Sequence, residues 1–125
     1  MISYVTYKII HYLGIFTAVT AVAAYAVLAT GGSPLQRDAW TKKLAAAHGI
    51  GLFLVLLGGF GMLARLGVSH GGLPTWIWIK LAIWVLLGGV LTLAKRRPET
   101  AGWVLFIAPF LAAAAGTVAL LKPGL

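Results

Sequence analysis

The chain has no cysteine and only two carboxylates, Asp38 and Glu99, in 125 residues. The first absence removes disulfides, thiolate catalysis, iron–sulfur clusters and zinc–thiolate sites. The second removes paired-carboxylate acid–base chemistry. Both acids fall between apolar runs, so an intramembrane Asp/Glu proton relay is missing as well, which excludes most pumps and ion-coupled transporters. Long polar stretches are also lacking, and little chain remains for a soluble domain.

What is present is apolar. Hydrophobic residues make up 61% of the sequence, far above the globular norm. They gather into four runs, 9–29, 44–64, 76–94 and 101–121. At about 1.5 Å per residue, each run crosses roughly 30 Å of hydrocarbon as a helix. The expected architecture is all-α, a single integral membrane domain over 1–125, with four helices running up-down-up-down through short connections. The first run is longer than the core of a signal peptide and lacks a basic leader, so it is read as a retained span.

The net charge is +8, and its distribution argues for topology rather than nucleic acid. Arg37, Lys42 and Lys43 lie between runs one and two, and Lys95, Arg96 and Arg97 between runs three and four. The positive-inside rule places those two connections in the cytoplasm and both termini outside, in a bacterial inner membrane. The bilayer is then the main partner, with anionic lipid headgroups against the basic loops.

Proline and glycine punctuate the runs. Pro34, Pro74 and Pro98 suit first helical positions, where a missing N–H costs nothing. Ser33 and Gln36 have capping-box spacing, and 34–43 reads as a short interfacial helix ahead of the second span. Gly31–Gly32 and Gly71–Gly72 read as stop signals, and Pro109 as a kink. Gly58, Gly59, Gly88, Gly89, Ala112 and Gly116 are candidates for close helix approach. A local echo links His11-Tyr-Leu-Gly14 to His48-Gly-Ile-Gly51.

Three polar side chains interrupt the apolar runs: His11, His48 and Lys80. In lipid such groups are costly, and each is a candidate functional site. Aligning the runs at their cytoplasmic ends puts His48 and Tyr25 roughly 6 Å inside, with Gly88–Gly89 slightly deeper. His11 falls about 27 Å from that boundary, level with Met62 and Trp76, so the imidazoles should stand about 20 Å apart. Two pockets follow. An outer one collects His11, Met62, Lys80, Lys8 and Arg65, with Tyr4, Lys8, His11 and Ile15 on one helical face. An inner one holds His48, Tyr25 and the Gly88–Gly89 gap. Imidazole facing thioether is a haem ligation pair, and nearby cations suit propionates, so His11 and His48 are the candidate metal ligands. Each polar residue also has a plain reading. Lys80 snorkels past Trp76, the histidines bond water or backbone, Met62 fills space, and His70 is solvated.

Lys8-x-x-His11 opening run one, His48 opening run two, and Trp76-x-x-x-Lys80-Leu81 ahead of Leu87-Gly88 together resemble the small four-helix SirB-like membrane proteins. More distantly the pattern is similar to HemJ-type protoporphyrinogen oxidases and CopD-like membrane domains. The HemJ resemblance implies haem b on a membrane histidine and oxidation of a porphyrinogen toward quinone. On it, His11 is the leading ligand and Lys80 the partner of a tetrapyrrole carboxylate. The chain is shorter than that family and lacks its arginine after a proline in the first connection. Three functions follow as expectations. One is haem-b binding in electron transfer or porphyrin oxidation, with Met62 as sixth ligand and Lys80 and Arg65 on the propionates. A second is a noncatalytic accessory subunit of a larger membrane complex. Copper handling through His11 and Met62 is the third, and it has too few ligands.

Overall fold

The computed structural model describes residues 2–31, 33–67 and 72–123. It is built of helices: α1 (Tyr4–Thr30), α2 (Pro34–Leu66), α3 (Thr75–Arg96) and α4 (Ala101–Leu121), with a 3₁₀ turn at Pro98–Thr100 before α4. All four segments are long and apolar enough to cross a membrane. His70 and the rest of 68–71 lie outside the described residues.

Local chemistry explains most helix ends. The Ser3 hydroxyl accepts from the Thr6 N–H and opens α1. Ser33 and Gln36 form the expected reciprocal capping box, with Pro34 in the first turn of α2. Pro74 falls one residue earlier than expected, capping α3 rather than starting it. The stop for α2 is Gly67, in the left-handed conformation (φ 70°), ahead of the expected Gly71–Gly72. Lys122, at φ 47°, closes α4. α4 runs through Pro109, whose ring faces outward.

One expectation fails in a way that changes the whole register. Residues 34–43 do not form a separate interfacial helix; they are the first three turns of a continuous 33-residue α2. That helix is about 50 Å long, well beyond the hydrocarbon thickness. Capping at Ser33 leaves no break before Leu44, so α2 starts directly beside the end of α1.

α1 is the hub. It packs most extensively on α2 and also touches α3 and α4, whereas the backbones of α2 and α4 do not come close to each other among the described residues. One buried cluster joins Ala18, Val22, Tyr25 and Ala26 of α1 to Leu52, to Leu87, Val90 and Ala94 of α3, and to Ala101, Val104 and Ala108 of α4. A smaller one gathers Leu63 of α2 with Trp76 and Ile77 of α3, against Val118 and Ala119 of α4. Large apolar side chains cover the outside, including Phe16, Phe53, Trp103, Phe106 and Phe110.

The α1–α2 seam is built on backbone contact. A Cβ added at Gly14 would lie 2.6 Å from the Gly51 carbonyl oxygen, and one at Gly51 2.8 Å from that of Gly14. Gly58 sits equally close to the backbone of Tyr7 and His11, and Gly61 against the Tyr7 ring. In lipid, packing of this kind replaces the hydrophobic drive between helices. Of the glycines expected at close approaches, Gly58 fits; Gly59 and Gly88 make ordinary contacts, and Gly89 and Gly116 face open space.

Replacing Gly14 or Gly51 by valine should therefore cost about 2 kcal/mol or more, since the obstacle is backbone and cannot rotate away. Gly89→Ala should stay within about 0.5 kcal/mol of the parent. Detergent-to-SDS unfolding curves of the three variants check both expectations.

Candidate functional site

The buried imidazoles are the centre of interest. His11 is 7% exposed and His48 2%. His11 Nδ1 lies 2.8 Å from the Val55 carbonyl oxygen, and His48 Nδ1 lies 2.9 Å from that of Ala18. A carbonyl can only accept, so in both rings Nδ1 carries the proton and donates. The neutral ring then bears its lone pair on Nε2.

The two bonds are related by an approximate two-fold. Val55 follows His48 by seven residues, and Ala18 follows His11 by seven. Between them lie Gly14 and Gly51, which face each other at the centre. Each helix thus carries His-x-x-Gly-x-x-x-apolar, ending at Ala18 and Val55, and in antiparallel pairing each histidine reaches the carbonyl at the far end of the other motif. The axis of such a pair is normal to the hairpin, so both imidazoles lie on the same side of it. Gly58, which stands against the His11 backbone, lies ten residues from His48, about 15 Å along the helix and short of the separation expected from the sequence. The difference arises from α2: its polar first three turns run alongside the end of α1 and shift the second span toward the first.

The expected pockets do not assemble. His11 packs over Gly58, and its ring lies beside Gly59. The buried neighbour on its helix face is Gly14, with Tyr7 half-buried, whereas Lys8 is exposed, its ammonium 5.9 Å from the Tyr12 ring. Met62 is half-buried and makes no hydrogen bond with His11; Arg65 is exposed in the last turn of α2. Lys80 is half-buried on α3 and close enough for its charge to act on His11. At the other end Tyr25 is buried in the main cluster, and no hydrogen bond joins it to His48. The Gly88–Gly89 gap is absent, because Gly88 meets Leu52 and Gly89 faces outward.

A third side chain joins the backbone network unannounced by the sequence. Trp84 Nε1 of α3 donates to the Leu52 carbonyl of α2 at 3.0 Å, one turn from His48. His48 Nε2 and Trp76 Nε1 are enclosed with no hydrogen-bond partner.

A haem does not fit the α1–α2 seam. Backbone fills the space at Gly14, Gly51 and Gly58, and protein encloses the free nitrogen of His48. Among the described residues, no three His, Cys, Asp or Glu side chains group to hold a metal ion. Two shallow hollows of about 310 and 250 Å³ lie on the outer face of α4, lined by Trp103, Phe106 and Phe110 rather than by histidine. No protein-family model, curated protein or solved structure matches the chain.

His11→Ala and His48→Ala should each lower stability by about 1–2 kcal/mol, the range for hydrogen bonds between membrane helices plus lost packing. The two rings do not share a partner, so the double variant should equal the sum within about 0.5 kcal/mol. Nitrogen-15 NMR of labelled histidine should find the Nδ1–H tautomer at both positions.

Proposed function

We propose that this chain is an integral protein of the bacterial inner membrane that serves as a noncatalytic subunit of a larger membrane assembly. In this reading the four helices alternate up and down across the bilayer, with both termini on the non-cytoplasmic side. The basic residues at the α1–α2 and α3–α4 connections support that orientation.

One observation carries the reading: the buried polar side chains are spent on joining helices. His11 ties α1 to α2, His48 ties α2 to α1, and Trp84 ties α3 to α2. None of them lines either of the hollows on α4. Polar groups used this way act as glue between helices rather than as reagents. Outside, α4 presents Trp103, Phe106 and Phe110, each more than 70% exposed, as an aromatic row toward lipid or a neighbouring subunit.

A second reading keeps haem b, with a role in electron transfer or porphyrin oxidation. It is favoured by His11, whose Nδ1 bond to Val55 leaves Nε2 as the ligating nitrogen, and by the nearby charge of Lys80. Met62 or a residue from elsewhere would be the sixth ligand, with Lys80 and Arg65 on the propionates. The haem would have to lie outside the α1–α2 seam, against α3.

Extraction in a mild detergent followed by native mass measurement should give a complex with fixed stoichiometry; a stable, monodisperse monomer would overturn the first reading. A reduced-minus-oxidised spectrum should lack a Soret band even after haem addition. A band that vanishes in His11→Ala would establish the second reading instead.

A further inference from the structure

Among the described residues, the end of the bundle where α3 begins and α4 stops carries positive charge and no carboxylate. Lys80 lies in the second turn of α3, half-buried, and no hydrogen bond or ion pair reaches its ammonium among the described residues. Lys122 closes α4, with Nζ 5.4 Å from the centre of the Trp76 ring and 3.0 Å from the Ala119 carbonyl oxygen. Trp76 and Lys80 are one helical turn apart on α3, so the ring beneath the Lys122 ammonium is a neighbour of Lys80 on the same helix face. Asp38 and Glu99 sit at the opposite end, and Glu99 is already paired with Arg97. Like charges without a counter-ion at the edge of a low-dielectric slab are unfavourable, and an anion placed between them reverses the sign of the interaction.

Three further features belong to the same place. Lys122 holds a left-handed backbone (φ 47°, ψ 58°), a conformation that glycine adopts without strain and lysine does not. Trp76, 8% exposed and lying under the Lys122 ammonium, has an indole N–H with no partner. The first turn of α3 also turns its free N–H groups toward this surface, while Lys122 caps the α4 carbonyls that would repel an anion.

We propose that Lys80 and Lys122 form a two-cation seat for a phosphate oxyanion at this end of the bundle, the level at which a phospholipid places its headgroup. Each ammonium has three donors, and only one of those on Lys122 is spent within the protein. Val118 and Ala119, half-buried on α4, supply apolar surface below the seat, where the upper part of an acyl chain would lie. Phosphate is the shared chemistry of an anionic phospholipid and of free inorganic phosphate. The seat needs no haem, so it stands or falls independently of either function proposed above.

The test uses the full chain in nanodiscs of phosphatidylcholine, with phosphatidylglycerol or inorganic phosphate added, read by native mass spectrometry and thermal unfolding. One retained phosphatidylglycerol per chain is expected, with affinity falling about fivefold in Lys80→Gln and again in Lys122→Gln. Lys95→Gln at the opposite end should leave this retained lipid unchanged. Lys122→Gly separates binding from folding: it should raise thermal stability by relieving the left-handed lysine while lowering affinity for the anion. Stabilisation by inorganic phosphate alone, lost in Lys80→Gln, would support the seat and name a free anion as its occupant. Phosphatidylglycerol retention unchanged in the Lys80→Gln/Lys122→Gln double variant would overturn it, as would a Lys122→Gly variant that binds like the parent.

Discussion

Closeness of two backbones, set by Gly14 against Gly51, is the constraint from which the rest of this bundle follows. Lipid tails offer helices no hydrophobic reason to associate, so adhesion must come from contact and from hydrogen bonds that lipid cannot supply. Facing glycines bring α1 and α2 near enough for a short side chain on one to reach a carbonyl on the other. Imidazole has that reach, and at His11 and His48 it does so in opposite directions. The seam then aligns α1 so that its remaining faces receive α3 and α4, neither of which forms as close a contact.

This arrangement gives each buried histidine that looked like chemistry a backbone partner. A histidine within an apolar run is expensive unless its N–H finds an acceptor, and the backbone carbonyls supply one without any cofactor. The same bond that makes a histidine structural also fixes the tautomer that a metal would need, which is why imidazole geometry alone does not separate glue from ligand. Space beside Nε2 separates them, and at His48 protein encloses that atom.

Much of the fold was legible in the sequence because hydrophobic run length has few alternative meanings. The 101–121 run became α4 at the same limits, and Ser33 with Gln36 formed the capping box their spacing indicated. Register was harder to read. Apolar runs mark where lipid contact is tolerable, not where a helix starts, so aligning Ala29 with Leu44 overlooked three polar turns that are helical too. The site suffered from that shift: His11 and His48 moved from about 20 Å to about 15 Å apart along the seam. One signal was in view. The echo between His11-x-x-Gly14 and His48-x-x-Gly51 is what antiparallel pairing across a two-fold requires, and Ala18 and Val55 extend it by another turn. Trp84 and Lys122 carried no comparable signal, since a tryptophan in a span and a lysine after one are both ordinary.

The unbroken length of α2 has a mechanical consequence. A rod longer than the oil is wide must lean or stand proud, and a rod whose first turns carry Arg37, Asp38, Lys42 and Lys43 cannot hide them by leaning. Those turns therefore stand beside the last turns of α1 as one stiff charged edge, continuous with the bonded seam below.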